Sequence, residues 1–125
     1  MRYVLLPVLV MTLLLTACNG NKERVYKYIE VTEMESPLGG VETDYKPEQE
    51  IKAESDSAAY LQGFQKFCLA VRVYGEIQTK TGAAVAKPSR FKLMDDKGTD
   101  LVPTLSFAGK DEREKEIIDL VFKKK

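Results

Sequence analysis

The chain is 125 residues long and carries 19 Lys+Arg against 19 Asp+Glu, so it has no basic excess with which to neutralise phosphates, and nucleic acid is not an expected partner. Neither His nor Trp occurs. Without imidazole the chain lacks the commonest metal ligand and the side chain that titrates near neutral pH, which removes Ser-His-Asp, Cys-His and His-based zinc chemistry.

Residues 1–17 read as an export signal. Arg2 is the only charge ahead of an apolar run over 4–15, broken only by Pro7 and Thr12, and small residues then lead into Cys18. The run is about a dozen residues, short of the roughly 20 that a spanning helix needs, so a cleaved signal peptide is expected rather than a transmembrane anchor. Leu15-Thr16-Ala17-Cys18 resembles the lipobox of bacterial lipoprotein precursors. That resemblance implies cleavage before Cys18, a diacylglyceryl thioether on its sulfur and usually a third, amide-linked chain. At about 0.8 kcal/mol per buried CH₂, two or three chains hold a protein where one is marginal. The plain alternative is an ordinary signal cut after Ala17, which leaves Cys18 as a free thiol.

In the same family an aspartate after the cysteine marks retention in the inner membrane, so Asn19 implies the outer membrane. Lys22-Glu23 resembles the lysine-plus-acid tethers that carry some Gram-negative lipoproteins to the cell surface. Periplasmic face and cell surface both stay open.

Removing residues 1–17 from the 125 leaves 108, enough for one domain and too few for two. It also removes Arg2 and leaves 18 basic against 19 acidic groups, a formal charge of −1. The expected organisation is a signal peptide at 1–17, a lipidated cysteine with a flexible tether at 18–24, and a single globular domain at 25–125.

Within that domain, 25–32 alternates with β-branched and aromatic content and predicts a strand. Val25, Ile29 and Val31 are expected to face inward together with Lys27, whose charge suits an edge strand. Residues 35–56 hold Pro37, Gly39, Gly40, Pro47 and seven carboxylates, which predicts a long acidic loop in which 41–45 pairs briefly. Ser55 or Asp56 caps a helix expected over about 55–66. From Phe67 the apolar period shifts toward two and predicts a central strand over about 67–79; the alternative is one helix running on to Val73 and ended by Gly75.

Residues 79–89 then read as a connection, and 90–94 as a strand that turns at Asp95-Asp96-Lys97-Gly98 and returns over 101–107. Phe91-x-Leu93-x-Asp95-x-x-Gly98 resembles the hairpin of immunoglobulin-like accessory domains in small exported lipoproteins. The C-terminal 116–123 is β-rich and read as a strand, against a helix favoured by the box-like Asp111 and Glu114. The expected fold is therefore mainly β, a small immunoglobulin-like antiparallel sandwich with one helix; the alternative is α+β with a C-terminal helix.

Cys68, in Phe67-Cys68-Leu69, reads as a small buried hydrophobe. Asp95, Asp96 and Asp100 read as turn residues, since Ser106 stands where an EF-hand loop needs its closing Glu. The one site residue is Cys18, as the lipid attachment point; no catalytic residue, metal ligand or cofactor is expected. The expected function is that of a non-catalytic envelope lipoprotein binding a partner protein or envelope polymer. Cation or small-ligand binding by the acidic loop, and a hydrolase using two carboxylates, are the alternatives.

Overall fold

The computed structural model describes residues 23–82 and 85–123, so the expected signal peptide at 1–17 and Cys18 lie outside it. Its spine is β1 (Arg24–Glu35), twelve residues long, which pairs antiparallel on both edges. On one edge run β2 (Val41–Tyr45) and β3 (Gln49–Ala53), the two halves of a returning strand interrupted around Pro47. On the other runs β4 (Lys87–Met94), with a register shift at Val31/Thr32 that accommodates Pro88, a residue with no N–H for a ladder. Among the described residues two helices complete the fold, α1 (Asp56–Thr81) and α2 (Lys110–Phe122). With 39% of the described residues in helix and 31% in strand, the fold is α+β, not a mainly β sandwich.

The strand at 25–32 exists, but it is central rather than an edge, and the side that α1 covers carries the tyrosines, although Val31 is fully buried as expected and Ile29 half-buried. Tyr26, Tyr28, Glu30 and Thr32 form the buried face, whereas Val25 is 46% exposed and Lys27 points to solvent. Two tyrosines bury more apolar surface than the valines they alternate with, and that area decides which face α1 covers.

Half of the acidic stretch 35–56 is strand rather than loop. Gly39 and Gly40, at φ of 96° and 85°, close the turn between β1 and β2, and β3 then turns Ile51 and Ala53 inward while its carboxylates stay in water. The brief pairing expected at 41–45 is present as β2.

The strand expected at 67–79 is instead the second half of α1. Ser55 caps the helix by accepting from Ala58 N–H, and the chain stays helical past Gly75 to Gly82, whose left-handed φ of 64° lets its N–H donate to Gln78 O. Once nucleated, each further residue adds a bond, and the valines at 71 and 73 follow although their propensity leans to strand.

The returning strand over 101–107 is also absent. Asp100 Oδ1 accepts the N–H groups of Leu93 and Val102, leaving a single bridge between Met94 and Asp100 before Pro103. Without that strand the hairpin of an immunoglobulin-like domain is not formed. Residues 116–122 belong to α2, as the alternative had it, although Gly109 at its N-terminus supplies no side-chain cap.

Both helices lie on one side of the sheet. Phe91 is the hub, with ring centroids 5.5 Å from Tyr28, 5.7 Å from Tyr60 and 5.6 Å from Phe67. Gly63 lets α1 come down onto it: a Cβ there would lie 3.1 Å from Phe91 Cε2. α2 packs on α1, and Arg72 Nη1 donates to Val121 O at 3.2 Å. No helix among the described residues is long and apolar enough to cross a membrane.

Candidate functional site

The end of the sheet at which β1 begins holds a cleft of about 520 Å³ lined by Arg24, Tyr26, Asp56, Asp95, Asp96 and Lys97, among others. Three local structures meet there: the start of β1, the first turn of α1 and the tight turn after β4. The Tyr26 hydroxyl donates to Asp56 Oδ1 at 2.6 Å, and Arg24 Nη1 lies 3.6 Å from the same oxygen. Burial, and then the hydrogen bond to Asp56, push the Tyr26 hydroxyl above its ordinary pKa. Asp95 Oδ1 accepts from the N–H groups of Lys97 and Thr99. Asp56 and Asp95 are therefore occupied in holding strand, helix and turn together. Asp95, Asp96 and Asp100 serve the turn, as their sequence setting indicated.

The seven carboxylates of 35–56 do not converge, because alternate residues of a strand point to opposite faces. Glu48 lies 3.6 Å from Lys27 and Glu50 3.8 Å from Lys52, both in solvent. Among the described residues no group of three or more Cys, Asp or Glu is gathered as a metal-ligand set.

A second group of polar side chains lies inside the fold. Glu30, on the helix-facing side of β1, is buried, and Lys46 Nζ reaches its Oε2 at 3.3 Å as an ion pair without hydrogen-bond geometry. The Tyr28 hydroxyl is buried without a hydrogen-bond partner among the described residues. Burial pushes its pKa well up, and the Glu30 carboxylate adds to the shift. Tyr60 donates to Glu114 Oε2 across the two helices, while Lys110 Nζ stands 5.0 Å above its ring. Burial and then Glu114 push that hydroxyl up too.

Cys68 lies in this interior, 5% exposed, and burial raises its thiol above the ordinary value, which agrees with an unreactive buried cysteine. These buried tyrosines and their acids were not singled out from the sequence. The signal that bears on them is the tyrosine pair two apart in β1, with Glu30 two further on.

Cys18 and the tether residues up to Lys22 lie outside the described residues. No protein-family model, curated protein or solved structure matches this chain.

Proposed function

We propose that this is a non-catalytic lipoprotein of the cell envelope, anchored at the outer membrane through acyl chains on Cys18, which presents its domain to a partner protein or envelope polymer. The observation that carries the reading is the run of features over 1–18: one charge, an apolar stretch too short to span, small residues, then Leu15-Thr16-Ala17-Cys18. Five residues separate Cys18 from Arg24, so the start of β1 stays within about 20 Å of the anchored sulfur. The 24-to-56 end of the sheet then faces the bilayer. The turn after β1 lies about 40 Å further along the strand and faces outward.

An outward end free of the tether is the part of the domain available to a partner, and loops on a rigid scaffold are where binding is commonly carried. The large apolar side chains left in solvent include Leu38 and Val41 at the β1–β2 turn, and Val73 and Ile77 late in α1. Such residues are usual constituents of interaction surfaces.

The test is fractionation of cells making the full chain or its Cys18→Ala form. The wild type is expected in the outer-membrane fraction and the variant in the soluble one. A wild-type product recovered freely soluble contradicts the reading.

A further inference from the structure

The turn between β1 and β2 has a fixed shape. Gly39 N–H donates to Ser36 O and Ser36 N–H to Gly40 O, each at 3.0 Å, and Leu38 N–H donates to Ser36 Oγ at 3.3 Å. Two glycines at positive φ complete it. This turn, closed by three hydrogen bonds, holds Leu38 at 98% exposure, with Met34 and Val41 beside it at 38% and 59%. On its arms stand Glu33, Glu35, Glu42 and Asp44, none of them in an ion pair among the described residues. The turn is a rigid apolar point with acidic flanks.

The same chain carries a surface of the opposite kind. Leu69, Val73 and Ile77 are four apart, lie on one side of α1, and are 43%, 51% and 37% exposed. Lys66 stands three residues before the stripe and Lys80 three after it, so both lie on the same side of the helix and bracket it. Lys66 Nζ reaches only the neutral Gln49 Oε1, at 3.2 Å, and Lys80 has no ion pair among the described residues. Arg72 and Glu76, alongside, lie 3.8 Å apart and balance each other. The stripe is an apolar strip with basic ends.

Within one molecule the two surfaces do not meet, because α1 packs on β4, β3 and β1 but not on β2. We propose that they meet between molecules: the Leu38 turn of one protomer sits on the Leu69-Val73-Ile77 stripe of a second copy, and the second copy's turn sits on the first. Complementary charge argues for a copy of this chain over an unrelated partner, since acidic arms face basic ends on both sides. Size argues for the reciprocal arrangement. A specific interface buries about 1,200–2,000 Å² in total, more than one leucine-tipped turn can cover, and a two-fold axis doubles every contact. The inference deepens the proposed binding role by naming a partner. It needs the turn and the stripe but not the anchor, so a freely soluble product would overturn the anchor and leave this pairing standing.

The test is photo-crosslinking of the full chain in whichever cell fraction holds it, with a benzophenone amino acid at position 38. The expected product has twice the chain's mass, with the crosslink mapped to 66–80. Val73→Asp, a solvent-facing change whose fold is checked by a thermal melt, is expected to lower the yield about ten-fold. Reversing the arms with Glu35→Lys and Glu42→Lys is expected to weaken the product, and adding Lys66→Glu and Lys80→Glu to restore it. An adduct with another protein or with lipid, a crosslink within one chain, no adduct, or a yield indifferent to these changes would each overturn the pairing.

Discussion

Gly63 of α1 and Phe91 of β4 are in such close approach that a single added carbon at Gly63 would stand 3.1 Å from the Phe91 ring and 3.4 Å from Tyr28 Cδ2. Helix and sheet are thus spaced by a missing side chain at the centre of the aromatic core. Gly63→Val is expected to cost about 1–3 kcal/mol through overpacking. Gly75, in the same helix, meets nothing within 4 Å, so Gly75→Ala is expected to stabilise by about 0.5–1 kcal/mol through helix propensity alone. Urea melts of the two variants check the contrast, which should appear as opposite shifts of the midpoint.

Tyr26, Tyr28 and Tyr60 are all held above the ordinary tyrosine value of 10.0, each chiefly by burial, and Cys68 is held above 9.0. A pKa raised in the folded state means that the unfolded chain gives up its protons first as pH rises. Stability is therefore whole below about pH 8 and falls as pH climbs through the unfolded values, that of Cys68 first, toward the folded ones. Tyr28→Phe removes a hydroxyl without a hydrogen-bond partner. It is expected to be neutral, or stabilising by about 1 kcal/mol, at pH 7, and to make the alkaline loss shallower. Denaturant melts from pH 7 to 11 measure both effects.

Glu30 and Lys46 pair across the boundary of the core, with the carboxylate buried and the ammonium in water. Lys46→Met leaves a buried carboxylate without its counter-charge and is expected to cost about 1–3 kcal/mol, less than for a wholly buried pair because solvent reaches the lysine. Glu30→Gln in that background should recover most of the loss. A double-mutant cycle gives the coupling between the two directly.

The buried Cys68 thiol is expected to resist thiol reagents in the native state. In the Cys18→Ala chain, which keeps this single cysteine, labelling should follow the unfolding transition in urea. Rapid labelling without denaturant would show that α1 packs on the sheet more loosely than a 5% exposed Cys68 requires.

Local chemistry was legible in the sequence wherever it acts alone. Pro37, Gly39 and Gly40 mark the first turn, Ser55 marks the start of α1, and 95–98 marks the turn after β4. Contacts distant in sequence were not legible. Phe67, Leu69, Val71 and Val73 fit a period of two, while Leu69, Val73 and Ile77 fit a helix equally well, and β-branched residues tilt an isolated reading toward strand. Residues 117–122 are equally ambiguous, and their packing against α1, including the bond from Arg72 to Val121, goes with helix. In β1 the alternation was plain, but which alternate set α1 would cover was not, since that depends on a helix thirty residues away. The one site residue read from sequence, Cys18, lies outside the described residues, so it rests on the lipobox alone.

The most direct test is the intact mass and N-terminal sequence of the protein purified from its own membrane. The account predicts a chain beginning at Cys18 and heavier than its 108 residues by a diacylglyceryl group, or by that group and one further acyl chain. A chain with an unmodified Cys18, or with the apolar segment 4–15 still attached, would contradict it.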